Sequence, residues 1–167
     1  MPAGITMYNM HRVLQVAMGW SSSHLYEFEV GNRRVGEPEQ DSLGAKFFPR
    51  RQVTDAHAVH LLEVTPGPGD SFFYEYDSGD SWRHRIVVEE VLAEVPGGEW
   101  PLCLAGKRAC PPEDCGGVSA YYHLLHCLKN PGDTNCAELN DWAGSYSPNS
   151  FDMGWVNQQL GALKLRG

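Results

Sequence analysis

The chain has 167 residues, of which 42% are hydrophobic and 20% are charged, as is ordinary for a single globular domain. Its 13 basic residues face 21 acidic ones, giving a formal charge of −8. Because neutralised phosphates supply most affinity for duplex DNA, this balance argues against tight duplex binding by the chain alone. No apolar run reaches the roughly 20 residues that span a bilayer. Without a signal-peptide pattern, we expect one cytoplasmic domain over residues 1–167.

The N-terminal segment predicts an amphipathic helix. Between residues 6 and 18 apolar side chains recur at helical spacing. Thr6 suits the N-cap of this helix, and Gly19 suits the position after its last turn. His11 and Gln15 fall outside the apolar arc, as does Arg12. The arc comprises Met7, Met10, Val13, Leu14, Ala17 and Met18.

Alternating side chains after this helix predict a first β-hairpin. Residues 24–30 place Tyr26, Phe28 and Val30 on the side opposite Leu25 and Glu27, which is the pattern of a half-buried strand. Gly31-Asn32 is a two-residue turn signal, and a weaker return strand follows over 33–37. Residues 38–52 are expected to be irregular. A second helix is predicted over 54–64, before the Pro66-Gly67-Pro68-Gly69 connection.

A second hairpin has the strongest signal in the sequence. Residues 72–76 and 82–89 both alternate, and they are separated by the short turn Asp77-Ser78-Gly79-Asp80. Trp82 and His84 lie two positions apart, so their side chains share one face of the predicted sheet. We therefore expect these two runs to pair as antiparallel strands in the central sheet.

The C-terminal half predicts a long loop followed by helices. Residues 95–117 are rich in proline, glycine and cysteine, and a loop of this length is usually functional or disordered. Helices are predicted over 118–130 and 133–143. A last helix is predicted to run to about Leu163, capped by Asn149 or Ser150. Together these elements predict an α+β fold, with a largely antiparallel sheet and a central β-hairpin packed against several short helices.

Four blocks of sequence carry a family resemblance. They are Met18-Gly19-Trp20 with residues 24–28 (HLYEF), residues 74–84 (YEYDSGDSWRH), residues 110–117 (CPPEDCGG), and Trp142 with residues 148–152 (PNSFD) and Val156-Asn157. In order and spacing they resemble the plasmid pRiA4b ORF-3-like family over about residues 6–160. The resemblance implies an α+β domain of bacterial and archaeal proteins, often associated with plasmids or other mobile elements. It implies no established reaction.

The sequence departs from this family at two places. Relatives usually have a phenylalanine where Ser78 stands, so the turn lacks an apolar anchor. Relatives also usually begin with an additional strand that carries a Trp-Arg pair, and this sequence starts just after it. The resemblance therefore implies either that the reading frame begins further upstream or that a sheet edge is unprotected. An unprotected edge would allow a homo-oligomer to form through it.

The second hairpin and the 110–117 loop supply the candidate binding residues. Turn chemistry alone can account for Asp77 and Asp80, and the dipole of the following helix can account for Glu113 and Asp114. The functional interpretation is a pocket of carboxylates, aromatic rings and an imidazole. In it, His84 lies near the loop, within reach of Glu113 or Asp114. The candidate residues are Tyr74, Tyr76, Asp77, Asp80, Trp82, His84, Glu113 and Asp114.

The five cysteines predict thiols or metal ligands rather than disulfides. Cys103, Cys110 and Cys115 lie in one loop, and His84 or His24 would complete a Cys3His zinc site. The spacing between the first two is loose for zinc, so buried or free thiols are the favoured interpretation and no cofactor is firmly predicted. Cys127, four residues after His123, is expected to pack rather than to ligate.

These observations favour a binding or interaction module with an unknown protein or small-molecule partner over an enzyme. No nucleophile or nucleotide motif is present, so no catalytic residue is assigned. The enzyme alternative is a metal- or carboxylate-assisted hydrolase using Asp77, Asp80, His84 and Glu113. A third alternative, an accessory protein of mobile elements acting near nucleic acid, depends on the family resemblance alone.

Overall fold

In the computed structural model, which describes residues 1–2, 4–38, 52–93 and 101–165, five strands pair into one sheet. They are β1 (Tyr26–Val30), β2 (Arg33–Gly36), β3 (Val53–Asp55), β4 (Ser71–Tyr76) and β5 (Trp82–Val87). Their order across the sheet is β3-β2-β1-β4-β5. Every pair is antiparallel except β2 and β3, which run parallel. The predicted α+β class, with a largely antiparallel sheet, is confirmed.

Helices precede the sheet, interrupt it and follow it. They are α1 (Met7–Met18), α2 (Leu61–Val64), α3 (Gly117–Lys129), a 3-10 turn (Thr134–Cys136), α4 (Ala137–Ala143) and α5 (Met153–Ala162). The predicted cap of α1 is confirmed, since the Thr6 side chain accepts from the Asn9 N–H and Gly19 adopts a left-handed φ of 76°. No helix within the described ranges is both long enough and apolar enough to span a membrane.

Both predicted hairpins are present. In the second, β4 and β5 pair so that Tyr74 lies opposite His84 and Tyr76 lies opposite Trp82. β4 also pairs with β1, which places Tyr26 beside Tyr76. Side chains that alternate in character along each strand therefore point in turn to the covered face and to the open face of the sheet.

The covered face of the sheet forms the main core, with α1 packed against it. Its largest side chains are aromatic, and their edge-to-face contacts fill the layer between sheet and helix. The open face instead carries ion pairs. Arg83 reaches Glu29 at 3.2 Å and lies 4.1 Å over the Phe73 ring, and such exposed pairs stabilise a fold little. The aromatic residues buried in the main core, on the covered side of the sheet, are Trp20, Tyr26, Phe28, Phe72, Tyr74, Tyr76 and Trp82.

One prediction for the first half of the chain is wrong. Residues 54–64 are not one helix, because Val53 and Thr54 pair with β2 and only Leu61–Val64 is helical. His11 and Gln15 lie outside the apolar arc but are buried, since each hydrogen-bonds the buried hydroxyl of Tyr74. The segment predicted to be irregular over 38–52 lies almost wholly outside the described residues.

The C-terminal half follows the predicted order of helices, with two corrections. Cys127 and Cys136 form a disulfide, which the sequence argument had not favoured. It joins α3 to the 3-10 turn that leads into α4. The last helix begins later than predicted, at Met153, because Asp152 accepts from the Trp155 N–H and so caps it. Val156 and Leu160 of α5 then pack against Val13 of α1.

Candidate functional site

Three segments meet at one end of the covered sheet face. Residues 20–24 follow α1, residues 77–80 form the turn between β4 and β5, and residues 110–117 lead into α3. The Trp20 indole N–H donates to the Pro111 carbonyl at 2.9 Å, which joins the first segment to the third. The Gly116 N–H donates to Asp80 Oδ2 at 3.1 Å, which joins the third segment to the second.

His24 lies at the centre of this junction. Its Nε2 is 2.9 Å from Asp114 Oδ1, 3.7 Å from Asp77 Oδ2 and 4.0 Å from Glu113 Oε2. The ligand atoms of His24, Asp77 and Asp114 all lie within 4.8 Å of one another. We call these three residues together with Glu113 the His24 cluster.

Asp77 serves both the hairpin turn and the His24 cluster. Its Oδ1 accepts from the Gly79 N–H at 2.9 Å and the Asp80 N–H at 3.3 Å, so this oxygen closes the turn. Its Oδ2 is the atom that faces His24. The residue is buried and has a left-handed φ of 57°, a conformation that aspartate tolerates better than most side chains. The turn and the cluster are thus held by the two oxygens of a single carboxylate.

Glu113 likewise uses one carboxylate oxygen to bond the scaffold and turns the other toward His24. Its Oε1 accepts from the Ser21 N–H at 2.8 Å, the Ser21 hydroxyl at 3.0 Å and the Tyr76 hydroxyl at 3.0 Å. Its Oε2 has the Tyr76 hydroxyl at 3.2 Å and otherwise faces His24. Hydrogen bonds to one oxygen therefore fix the direction of the other.

The loop before α3 makes room for this arrangement. Asp114 adopts a left-handed φ of 58°, and its side chain is 71% exposed, so the cluster opens to solvent on this side. Gly117 has a φ of 76°, and a Cβ atom there would lie 3.0 Å from the Asp80 carbonyl oxygen. Glycine is needed at this position because any side chain would push the loop away from the turn.

Aromatic rings form the floor beneath the cluster. The Tyr76 ring stacks on Trp20 with centroids 4.9 Å apart and meets His24 edge-on at 5.9 Å. Burial raises the pKa of Tyr76 to about 12, so its hydroxyl keeps its proton at neutral pH. Burial lowers the pKa of His84, whose Nδ1 is buried without a hydrogen-bond partner among the described residues.

The structure brings together only some of the predicted binding residues. Tyr76, Asp77, Glu113 and Asp114 meet in the cluster, and Asp80 supports it through Gly116.

Three others lie elsewhere. Tyr74 is buried under α1, where it bonds His11, and Trp82 packs edge-on against Tyr121 of α3. His84 meets the edge of Trp20, at a centroid distance of 5.5 Å, and Trp20 in turn bonds the loop.

The contact predicted for His84 is made by His24 instead. Within the described part of the chain, no ion pair or hydrogen bond joins His84 to Glu113 or Asp114. From the sequence, His24 was expected only as an alternative zinc ligand beside the cysteines. Its place in the first family block was the signal available for it.

The loop cysteines are divided between two hydrophobic clusters. Cys103 packs beside α5, and its N–H donates to the Asn157 side chain at 2.7 Å. Cys110 and Cys115 pack against the main core, where burial raises both thiol pKa values to about 11. Among the residues that the structure describes, the metal-compatible group is His24 with Asp77 and Asp114, and no group of three thiols forms.

Comparison with known proteins places this chain in a family. A curated relative, an uncharacterized protein named y4hQ from Sinorhizobium fredii (strain NBRC 101917 / NGR234), is 38% identical over 145 residues, spanning 86% of this chain and 71% of the relative. A crystal structure of MM3350, a protein of unknown function from Methanosarcina mazei Go1, superposes with a TM-score of 0.77 at 30% identity, covering 93% of this chain and 84% of that one. The family model described as plasmid pRiA4b ORF-3-like protein matches residues 1–157. The chain therefore belongs to the plasmid pRiA4b ORF-3-like family.

Proposed function

We propose that this domain is a binding module whose ligand is a divalent metal ion held by His24, Asp77 and Asp114. The observation that carries the proposal is the separation of their ligand atoms, all within 4.8 Å of one another. Two carboxylates and an imidazole form a donor set that suits Zn²⁺, Mn²⁺ and related ions. The three residues come from three separate segments, so only the folded chain offers the full set.

The electrostatics of the His24 cluster favour a cation. Three carboxylates, those of Asp77, Glu113 and Asp114, surround one imidazole within 4.0 Å of its Nε2. Carboxylates held this close repel one another, and a divalent ion between them would remove that repulsion. The same charges would repel a phosphate backbone, so the cluster gives no support to the mobile-element accessory alternative.

The hydrogen bonds around the cluster support a site that is formed before the ligand arrives. Asp77 and Glu113 each use one oxygen to hold the scaffold and direct the other toward His24. Such outer contacts orient metal ligands and usually matter to affinity nearly as much as the ligands themselves. A cation would therefore bind with little rearrangement of the protein.

A metal-assisted hydrolase is the second candidate, and the exposure of Asp114 favours it. Because that side chain is 71% exposed, an ion in the cluster would be open to solvent and could keep a water ligand. Glu113 Oε2, 4.0 Å from His24 Nε2, would be the carboxylate oxygen available to accept a proton there. A binding module would hold the same ion without turning over a substrate.

Isothermal titration of the metal-stripped full chain with Zn²⁺, and separately with Mn²⁺, tests the proposal. We expect one ion per chain for the preferred metal. His24→Gln and Asp77→Asn should each weaken binding at least about tenfold, the effect expected for losing a ligand. Asparagine at 77 keeps a carbonyl oxygen for the turn. The control is His60→Gln, because His60 forms an exposed pair with Glu63 at 3.1 Å, remote in sequence from the three segments.

Absence of binding by the wild-type chain, or equal weakening in the His60→Gln control, would overturn the metal proposal. Hydrolysis separates the two candidates. If the metal-loaded chain hydrolyses p-nitrophenyl phosphate or acetate above the free-metal blank, and Glu113→Gln abolishes this, the hydrolase is favoured. Stoichiometric binding without turnover favours the binding module.

A further inference from the structure

We infer that Tyr76 is a positioning residue for the metal site, acting through Glu113. The inference rests on the proposed function and goes beyond it, because Tyr76 supplies no ligand atom. Its role is to fix the direction in which Glu113 Oε2 points. Three observations carry this: the direction of its hydrogen bonds, the rigidity of its ring, and the position of the serine segment it holds.

The donor and acceptor roles at the Tyr76 hydroxyl are settled by its neighbours. The Ser23 backbone N–H lies 3.0 Å away and can only donate, so the hydroxyl oxygen accepts from it. The single hydroxyl hydrogen is then left for Glu113, whose two oxygens lie at 3.0 and 3.2 Å. A hydrogen bond to a charged carboxylate is among the stronger ones in proteins. The hydrogen of the Tyr76 hydroxyl is therefore used within the protein and is not available to a ligand.

The ring that carries this hydroxyl is closely packed on all sides. Tyr76 is 0% exposed and ends β4, where it pairs with Tyr26 on one side and Trp82 on the other. Its ring also stacks on Trp20 at 4.9 Å. Glu113 lies instead on a loop, 37 residues away in the sequence. The hydrogen bond thus ties a loop carboxylate to a fixed point of the central sheet.

The same contacts also fix the segment that carries His24. Tyr76 holds the Ser23 N–H, and Glu113 holds the Ser21 N–H at 2.8 Å. These two backbone bonds lie directly before His24 in the sequence. Without the Tyr76 hydroxyl, Glu113 would lose one hydrogen-bond donor and the Ser23 N–H would lose its acceptor. The segment before His24 would then be held less firmly.

A double-mutant cycle on Zn²⁺ affinity tests the inference, using Tyr76→Phe and Glu113→Gln in the full chain. We expect Tyr76→Phe to weaken Zn²⁺ binding about tenfold, the order expected for one charge-assisted hydrogen bond. In the Glu113→Gln background, Tyr76→Phe should weaken binding clearly less than in the wild-type chain, because only the part of its effect that acts through the Ser23 N–H remains. A residue that only supports the fold would weaken binding equally in both backgrounds.

The matched control is Tyr26→Phe. Tyr26 lies directly opposite Tyr76 on the same buried face, and its hydroxyl has no hydrogen-bond partner among the described residues. Its loss should leave Zn²⁺ affinity unchanged. Ser21→Ala provides a second variant at an exposed position, where folding is not at risk. It removes the 3.0 Å bond to Glu113 Oε1, and it should weaken binding less than Tyr76→Phe does and only when Glu113 is present.

The outcomes separate this inference from the proposed function. If the wild-type chain binds neither ion tested, the proposed function fails and the inference fails with it. If the wild-type chain binds Zn²⁺ and folded Tyr76→Phe binds equally well, the positioning role is overturned while the metal site stands. Additive losses in the cycle would also overturn it. Thermal unfolding of each variant establishes whether it is folded. If Tyr76→Phe does not fold, Ser21→Ala becomes the deciding variant, and an unchanged Zn²⁺ affinity in it would count against the positioning role.

Discussion

His11 is a buried histidine whose surroundings favour the neutral form. It is 4% exposed, its ring stacks on Tyr26 with centroids 3.6 Å apart, and its Nδ1 lies 2.8 Å from the Tyr74 hydroxyl. Gln15 Nε2 donates to that hydroxyl oxygen, so the Tyr74 hydrogen is available to His11. Burial, with a smaller contribution from the charge of Arg12, lowers the pKa of His11 from 6.5 to about 4.

This pKa difference makes the fold sensitive to mild acid. Above pH 6.5 His11 is neutral in both the folded and the unfolded chain, so its titration does not reduce the free energy of unfolding. Between pH 6.5 and about 4 the unfolded chain takes up a proton that the folded chain refuses, and stability falls. At about 1.36 kcal/mol per pKa unit the full loss is about 3 kcal/mol, of which about 2 kcal/mol is lost by pH 5.

Urea unfolding of the wild-type chain and of His11→Gln, followed at pH 7 and pH 5, measures this effect. Other groups titrate in the same range, so the quantity to compare is the change in unfolding free energy between the two pH values. We expect that change to be smaller by about 2 kcal/mol in His11→Gln. The exposed His126, replaced by glutamine, serves as the control. Parallel profiles for the wild type and His11→Gln would refute the reasoning.

Three further predictions concern stability. Reduction of the Cys127–Cys136 disulfide, whose cysteines are 9 residues apart, should lower the unfolding free energy by roughly 2–3 kcal/mol; an unchanged urea midpoint under reductant would contradict this. Gly117→Ala should cost more than about 1 kcal/mol because of its positive φ and the close Asp80 carbonyl. If the domain binds Zn²⁺, this variant should also weaken binding, whereas Gly132→Ala, with open space around its Cα, is the control. Asp152→Ala should cost about 1 kcal/mol through loss of the α5 cap, measured by thermal unfolding against the exposed Asp141→Ala.

Features set by neighbouring residues could be predicted from the sequence. The β4–β5 hairpin follows from alternation around one short turn, and α1 follows from its apolar spacing between Thr6 and Gly19. Each depends on interactions a few residues apart, which a local pattern records. The Asp77 turn was likewise expected, because aspartate bonding to the backbone two residues ahead is a local property.

Features set by distant residues could not be predicted in this way. Burial of His11 depends on Tyr74, 63 residues later, and the helical pattern around His11 contains no trace of that partner. Val53 and Thr54 form a strand because β2 lies beside them, although the local pattern favours a helix. His24 contacts Asp114 across 90 residues, and no local pattern distinguishes His24 from His84 as the imidazole beside these carboxylates.

The assembly of the His24 cluster from three distant segments has a thermodynamic consequence. An unfolded chain does not hold these donors together, so an ion that binds the cluster binds the folded state selectively. Ligand binding and folding are then linked by mass action, and a free ion at 100 times its dissociation constant adds about 2.7 kcal/mol to the unfolding free energy. The melting temperature of this domain would therefore rise with metal concentration, and proteolytic resistance would rise with it.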